Sequence, residues 1–313
     1  MNPVEIQHAL TPKDEATVAA IRLQAAPFKG AMTGPEARSG YDAMIEAVPA
    51  AADVVVEAGN VGGVAGVWCR PKAARAGAAL LYLHGGGYVL GSAHAYRHFA
   101  GQFAARTGVA AFVADYALAP ERPFPAGVRD AQAAFRGLLA QGVETIALVG
   151  DSAGGGLALA TLALAHADAA AGIGAAPRCC VAMSPWTDLA LTGSSYATRA
   201  EEDPFVTHGM LAACAAHYLG AHNPTDPTAS PLHGKLSGFA PTQLHVGTSE
   251  VLLDDSLRYA ERARVQGGDA TVHVWQGMPH VFPSSIGVLD AAEKAMGIMA
   301  GFLMQHMQRQ RVT

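Results

Sequence analysis

Short runs of almost wholly apolar residues recur along the chain from residue 54 onwards, separated by glycine-rich turns or by longer alanine-rich stretches. A strand that is covered by helices on both faces of a parallel sheet needs apolar residues at consecutive positions rather than at alternate ones. The runs therefore predict buried strands of one sheet. The predicted strands are residues 54–56, 64–69, 79–84, 110–115, 146–149, 179–183, 242–246 and 271–275.

The stretches between these runs have the length and the apolar spacing of helices. A regular alternation of strand and helix indicates βαβ units. We therefore predict an α/β fold in which helices cover both faces of a mostly parallel central sheet. The predicted helices are residues 95–107, 127–141, 153–167, 253–266 and 291–308.

Two segments break the alternation, residues 1–45 and residues 184–237. The second segment is rich in proline, glycine, threonine, aspartate and histidine, and it contains one helical stretch at 210–219. Because it falls between two predicted strands, it can rise above the carboxyl edge of the sheet, where ligand clefts of α/β proteins lie. We expect both segments to form a helical cap over a main domain of residues 46–313.

Composition and charge exclude several classes of function. Half of the 313 residues are hydrophobic and 15% are charged, which indicates a folded globular chain. The net charge of -5 gives no reason to expect nucleic acid or an acidic membrane as partner, so we expect a small-molecule partner. The oligomeric state stays open, with a homodimer as one option.

Cysteine spacing and the N-terminal sequence bear on redox state and location. The four cysteines show no metal-binding spacing, so we expect reduced thiols and no metal. The N-terminus lacks the apolar stretch of a secretory signal, and no apolar run reaches the roughly 20 residues that span a bilayer. These absences predict a cytoplasmic protein without membrane insertion.

Candidate chemistry begins with the G-x-S-x-G pattern of residues 150–154, placed between a predicted strand and a predicted helix. A serine on so sharp a turn needs glycine on both sides, because flanking Cβ atoms would clash with the reversing backbone. The pattern predicts Ser152 as an exposed nucleophile. An ordinary glycine-rich turn is the alternative interpretation.

The sequence His-Gly-Gly-Gly at 84–87 follows another predicted strand and places bare backbone at the same edge of the sheet. Glycines let main-chain N–H groups approach a developing oxyanion closely. We predict the amides of Gly86, Gly87 and Ala153 as an oxyanion hole. A tight turn or a phosphate-binding loop is the alternative, but no G-x-G-x-x-G or Walker pattern completes a nucleotide site.

A serine needs a base, and the chain order serine, acid, histidine places that base near the C-terminus. His280 follows the last predicted strand, whereas His273 lies within it. The acid is expected after the strand 242–246, where Glu250 and Asp254 compete. We favour Glu250, because Asp254 is better placed to begin a helix.

With these residues in place, the chain resembles the bacterial hormone-sensitive-lipase-like carboxylesterases from about residue 54 to residue 302. The resemblance implies an α/β-hydrolase catalytic domain with a helical cap, and hydrolysis of short-acyl esters without a cofactor. It is carried by HGGG at 84–87, DYALAPERPFPA at 115–126, GDSAGG at 150–155, SPWTDL at 184–189 and GMPHVF at 277–282.

The resemblance maps Ser152 and His280 directly, but Glu250-Val251-Leu252 stands where many relatives carry Asp-Pro-Leu. Asp151 is expected to support the turn rather than to transfer a proton. An amidase or deacetylase with the same triad is the alternative activity, and a non-catalytic ligand-binding module is a second alternative. Four apolar residues are candidates for a substrate pocket, with ordinary core packing as the alternative. They are Trp186, Phe205, Met210 and Phe282.

Overall fold

A nine-stranded sheet forms the centre of the computed structural model, which describes residues 5–308. The first four residues of the predicted cap and the last five of the predicted main domain lie outside the described residues. The spatial order of the strands is β1-β9-β8-β7-β6-β4-β5-β3-β2. The strands are β1 Glu5–His8, β2 Val54–Val61, β3 Val64–Pro71, β4 Ala78–Leu83, β5 Ala110–Ala114, β6 Thr145–Asp151, β7 Cys180–Met183, β8 Thr242–Gly247 and β9 Ala270–Trp275.

The sheet is mostly parallel, as the apolar runs predict. Strands β5, β4, β6, β7, β8, β9 and β1 pair in parallel, whereas β3 runs antiparallel to both β2 and β5. Every residue of β4, β5, β6, β7 and β8 is buried, because helices cover both faces. The predicted α/β fold and all eight predicted strands are confirmed.

Helices connect the strands, and the five predicted main helices are confirmed with ends within three residues of the predicted ones. Helix α7 extends the predicted stretch 210–219 by two residues, while α1, α2 and α6 lie in the segments expected to form a helical cap, where the sequence predicts no individual bounds for them. The helices are α1 Pro12–Ala25, α2 Arg38–Glu46, α3 Arg97–Thr107, α4 Ala126–Ala140, α5 Ser152–Ala170, α6 Ser195–Thr198, α7 His208–Leu219, α8 Leu253–Val265 and α9 Asp290–Met307.

The N-terminal segment contributes one strand to the central sheet as well as the helices α1 and α2. Within the segment predicted to be part of the cap, β1 pairs in parallel with β9 and extends the central sheet by one strand. Its four residues alternate in burial, so they lack the apolar run that marks the other strands. Asp14 of α1 then accepts the backbone N–H groups of Asp290 and Ala291, which fixes α1 to the start of α9.

The insertion 184–237 contains α6, α7 and a short 3-10 helix, and no strand lies in it, since every residue of this range is described. Helix α7 packs directly on the glycine-rich loop after β4, because a Cβ on Gly87 would lie 2.8 Å from the Cys214 thiol. The division into cap and main domain stays a prediction. Among the helices of residues 5–308, none combines the length and the hydrophobicity needed to cross a bilayer.

Five side chains on β8, β9 and β1 form a buried chain of hydrogen bonds in which each side chain donates to the next. The Trp275 indole can only donate, so His245 accepts at Nδ1 and donates from Nε2 to the Gln243 carbonyl. The Gln243 amide then donates to His273 Nε2, and His273 Nδ1–H donates to His8. Every tautomer in this chain is fixed, and each imidazole must be neutral.

This histidine chain predicts a loss of stability in acid. Burial lowers the pKa of all three imidazoles, that of His273 to about 4. The charge of Lys294 lowers the pKa of His8 further, and the other imidazoles of the chain do the same for His245 and His273, because a second positive charge beside a protonated ring is unfavourable. The unfolded chain therefore binds more protons once the pH falls below about 6.5, and stability decreases from there towards pH 4. Urea unfolding at a series of pH values should show His273 alone contributing a loss of up to roughly 3 kcal/mol.

The matched variant for this measurement is His273→Gln, whose side-chain amide can accept from Gln243 and donate to His8 without titrating. Its unfolding free energy should fall less steeply between pH 6.5 and pH 4 than that of the wild type. Parallel pH dependences in the two proteins would contradict this interpretation.

Candidate active site

Ser152 lies on the tight turn between β6 and α5, at the carboxyl edge of the sheet. Its φ of 53° is in the left-handed region, which a residue without glycine's freedom rarely adopts. The glycines on either side are required by close packing: a Cβ on Gly150 would collide with the carbonyl oxygen of Gly154, and one on Gly154 with those of Leu83 and His84. The turn therefore has the backbone geometry that the G-x-S-x-G pattern predicts, but the prediction of an exposed serine is wrong, since Ser152 is buried with 9% of its surface exposed.

Ser152, His280 and Glu250 form one hydrogen-bonded line. The Ser152 Oγ lies 3.0 Å from His280 Nε2, and His280 Nδ1 lies 2.8 Å from Glu250 Oε2. Since an ionised carboxylate can only accept, Nδ1 carries the imidazole proton and Nε2 is free to accept the serine proton. The His280 side chain is 11% exposed and that of Glu250 is 0% exposed.

The second oxygen of Glu250 is held by two further donors. Its Oε1 accepts the Ser184 hydroxyl at 2.8 Å and the Gly247 backbone N–H at 2.7 Å. Ser184 Oγ in turn accepts the N–H of Val281, the residue after His280. Ser184 therefore links the acid loop to the histidine loop. Sequence reasoning missed this residue, although it opens the SPWTDL motif.

Asp254, the alternative acid, lies in the first turn of α8. Its Oδ2 accepts the Ser194 hydroxyl at 2.7 Å and the Ser195 N–H at 3.0 Å. The structure therefore brings Glu250, and not Asp254, to the imidazole of His280.

The electrostatics around His280 favour its protonated form. Burial lowers the pKa of the imidazole. The hydrogen bond and charge of Glu250, together with the charges of Asp203 and Asp151, raise the pKa by more than burial lowers it, so the net pKa of His280 is raised. A raised pKa makes the ring a stronger base towards a serine hydroxyl. The same negative charges stabilise the imidazolium once it forms.

The glycine-rich loop after β4 has backbone conformations that only glycine adopts readily. Gly86 has φ of 110° and Gly87 φ of 63°, and a Cβ on Gly86 would collide with the Leu90 carbonyl. Within residues 5–308, neither amide donates to a backbone or side-chain acceptor. Ala153 lies in the first turn of α5, where N–H groups have no partner within the helix. The three predicted amides are therefore available to an anion.

Asp151 lies beneath this loop as a fully buried carboxylate. Its Oδ1 accepts the Tyr82 hydroxyl at 2.8 Å and the Gly85 N–H at 3.2 Å, and its Oδ2 accepts the Tyr96 hydroxyl at 3.0 Å. Burial raises the pKa of Asp151 to about 6, although the tyrosine hydrogen bonds and the charge of His280 oppose that shift. Asp151 thus joins the serine turn to the glycine-rich loop, the supporting position that the sequence indicates.

Arg38 of α2 ties the N-terminal segment to the same region. Its guanidinium donates to the carbonyl oxygens of Val89 and Ala119, and it pairs with both carboxylate oxygens of Glu121. Sequence reasoning missed Arg38, because nothing in the local pattern indicates which distant loop it reaches.

The four candidate pocket residues fall into two pairs. Trp186 and Phe282 are fully buried: the Trp186 indole donates to the Asp188 carbonyl, and the Phe282 ring lies 5.2 Å from that of Trp275. Phe205 and Met210 are partly buried within the insertion. Core packing is therefore the observed environment of the first pair, and the second pair packs against the same core with part of its surface exposed.

Three comparisons with known proteins agree with this geometry. A sequence profile for the α/β-hydrolase fold matches residues 80–284. The acetyl-hydrolase of Streptomyces hygroscopicus is 40% identical over 246 residues, which are 78% of this chain and 81% of that protein. The crystal structure of an esterase from the bacterial hormone-sensitive lipase family is 38% identical with a TM-score of 0.87, and the match covers 96% of this chain and all of that one.

The chain belongs to the bacterial hormone-sensitive-lipase-like carboxylesterases. The resemblance stated from the motifs is confirmed, and the protein is a carboxylic ester hydrolase. A further crystal structure of the family, that of EstE5 soaked with p-nitrophenyl butyrate, is 37% identical with a TM-score of 0.85 and covers 95% of this chain and 99% of its own.

The hydrogen bonds of Asp151 predict that two substitutions of this residue lower the free energy of unfolding by very different amounts. Asparagine can still accept from Tyr82 and Gly85, and its NH2 can donate to Tyr96 if that hydroxyl turns towards Tyr41, 2.6 Å away. Asp151→Asn should therefore unfold within about 1 kcal/mol of the wild type. Asp151→Ala leaves three buried donors unpaired and should lose about 2–4 kcal/mol.

Chemical denaturation at pH 7 measures both values. If Asp151→Asn were destabilised as much as Asp151→Ala, the negative charge itself, rather than the acceptor geometry, would hold the glycine-rich loop.

Proposed function

We propose that this esterase hydrolyses short-chain acyl esters through an acyl-enzyme on Ser152, with His280 as general base and Glu250 as the acid that orients it. The observation that carries the proposal is the hydrogen-bonded line from Ser152 Oγ through both nitrogens of His280 to Glu250 Oε2, with distances of 3.0 and 2.8 Å. A serine hydroxyl needs an adjacent base to act as a nucleophile, and the base needs a third group to fix its tautomer.

In the first half-reaction, Ser152 Oγ attacks the ester carbonyl carbon while His280 Nε2 takes the hydroxyl proton. The carbonyl oxygen becomes an oxyanion, which accepts N–H groups from Gly86, Gly87 and Ala153. The imidazolium then gives its proton to the leaving alcohol oxygen as the ester C–O bond breaks. The products of this step are the free alcohol and an acyl group on Ser152.

In the second half-reaction, a water molecule takes the place of the alcohol. His280 Nε2 accepts a proton from the water, whose oxygen attacks the acyl carbon, and a second oxyanion forms at the same amides. Collapse of this intermediate returns the proton to Ser152 Oγ and releases the carboxylic acid. Glu250 stays ionised throughout and stabilises the imidazolium in both steps.

Short acyl chains are supported by two observations. The relatives carry names that specify an acetyl-hydrolase and a butyrate ester. In this chain, the insertion approaches the glycine-rich loop closely, since the Cys214 thiol of α7 packs on Gly87. Phe205 and Met210, both partly buried in the same insertion, are proposed to line the acyl or alcohol side of the cleft.

The test is a series of p-nitrophenyl esters of increasing acyl length. We expect activity from acetyl to roughly hexanoyl esters, and a fall in kcat/KM of at least about a thousandfold in Ser152→Ala. The variant should keep the circular dichroism spectrum and melting temperature of the wild type, because it removes one oxygen from an already formed turn. Equal turnover by the two folded proteins would refute the proposal.

A second pair of variants tests the acid. Glu250→Gln removes the charge that stabilises the imidazolium and places an amide beside His280 Nδ1, so kcat should fall by about a hundredfold or more. Asp254→Asn, which changes a carboxylate bound to Ser194 and Ser195, should keep kcat within about threefold of the wild type. A crippled Asp254→Asn beside an active Glu250→Gln would reassign the acid.

Two properties from the sequence stay predictions, a homodimer as the assembly and a cytoplasmic location. Sedimentation velocity of the purified protein and fractionation of the producing cells are the measurements that decide them.

A further inference from the structure

The main chain of Val251, the residue directly after Glu250, is held at both of its polar groups by side chains of the insertion 184–237. Asp203 Oδ2 accepts the Val251 N–H at 2.9 Å. On the other side of the residue, the Ser195 hydroxyl donates to the Val251 carbonyl at 2.6 Å. Val251 is fully buried, so water cannot replace either partner.

Ser195 binds the acid loop at a second point. Its Oγ also accepts the backbone N–H of Asp254 at 3.0 Å, and its own N–H donates to the Asp254 carboxylate. The side chain is buried, with 1% of its surface exposed. Asp203 and Ser195 therefore fix the backbone on the C-terminal side of Glu250, while Gly247 and Ser184 bind the Glu250 carboxylate itself.

Asp203 is a fully buried carboxylate whose three hydrogen bonds all come from backbone N–H groups. In addition to Val251, it accepts the N–H groups of Phe205 and Val206 on Oδ1, both at 2.9 Å. Burial raises the pKa of Asp203, while the charge of His280 and the three N–H donors oppose that shift, because a protonated carboxyl would present its own hydrogen to those donors. One carboxylate thus closes a turn of the insertion and holds the acid loop at the same time.

A buried negative charge is expensive, and a neutral asparagine would be the simpler way to close such a turn. Asparagine, however, would direct an NH2 group at the Val251 N–H whenever its oxygen faces Phe205 and Val206. The charge of Asp203 also acts on His280: together with Glu250 and Asp151, Asp203 is one of the three carboxylates that raise the pKa of the imidazole. Asp203 therefore holds the acid loop through its hydrogen bond to Val251, and its charge favours the protonated form of His280.

We propose that Asp203 and Ser195 are positioning residues of the esterase reaction. They hold Val251 so that the Glu250 carboxylate stays in line with His280 Nδ1, and Asp203 adds a further negative charge that stabilises the imidazolium in the transition state. The proposal rests on the proposed roles of Ser152, His280 and Glu250. It makes the insertion part of the catalytic apparatus as well as a cover for the cleft.

Steady-state kinetics with p-nitrophenyl acetate test the two variants Asp203→Asn and Ser195→Ala. A displaced acid costs transition-state stabilisation rather than substrate binding, so kcat should fall about ten- to a hundredfold in both, with KM within about threefold. The acid limb of the pH profile of kcat/KM, which reports the free-enzyme base, should move to lower pH in Asp203→Asn. It should move in the same direction but less far in Ser195→Ala, because that substitution displaces the Glu250 carboxylate from His280 but removes no charge.

The matched control is Ser230→Ala. Ser230 lies in the same insertion, is fully buried, donates to the Pro224 carbonyl and accepts the Leu189 N–H, but its side chain forms no hydrogen bond with residues 250–254. We expect this variant to lower the melting temperature by an amount similar to that of Ser195→Ala while keeping the wild-type kcat. That contrast separates positioning of the acid from general stability of the insertion.

Three results would overturn the proposal: kcat within twofold of the wild type in Ser195→Ala, an equal loss of kcat in Ser230→Ala, or an unmoved acid limb in Asp203→Asn. Should Asp203→Asn fail to fold, Asp203→Glu replaces it: its longer side chain disturbs the contact with Val251 but keeps the charge, and kcat within twofold of the wild type would count against the positioning role. A wild type without esterase activity, or one matched by Ser152→Ala, would instead refute the proposed function.

Discussion

The charge of Glu250 is the constraint around which the site is organised. A carboxylate with no exposed surface must find donors for its oxygens, and three groups supply them: the nearby Gly247 N–H and, from distant parts of the chain, the Ser184 hydroxyl and His280 Nδ1–H. Because an ionised carboxylate can only accept, its contact with His280 places the imidazole proton on Nδ1. The free Nε2 that faces Ser152 is a consequence of that tautomer.

Backbone strain collects at the same edge of the sheet. Six described non-glycine residues have positive φ, and four of them lie in loops around the triad: Tyr88, Ser152, Ser184 and Val281. Each such conformation costs of order 1–3 kcal/mol and persists only where surrounding contacts hold it. The side-chain hydrogen bonds of Asp151 and Arg38 lie directly beneath or beside these loops, and they supply such contacts.

Much of this arrangement could be predicted from the sequence, for one physical reason. Strands buried on both faces must be apolar at every position, so β4 to β8 stand out as runs, and residues that follow parallel strands meet at one edge. Ser152 and His280 were predicted on that basis together with their motifs. Strand β1 was missed because its four edge residues alternate in burial. Ser184, Asp203 and Ser195 were missed because their partners lie far away along the chain, and local patterns carry no information about such contacts.

Strand β1 has a consequence for how copies of this protein can meet. Within residues 5–308, the outermost strand on the β9 side of the sheet covers four residues and carries the exposed Glu5, so this part of the chain offers another chain few free backbone groups and a charge beside them. Edge-to-edge joining of two sheets is disfavoured at so short a charged border. On that side, pairing of subunits through helix surfaces is therefore favoured over continuing the sheet from one molecule into the next.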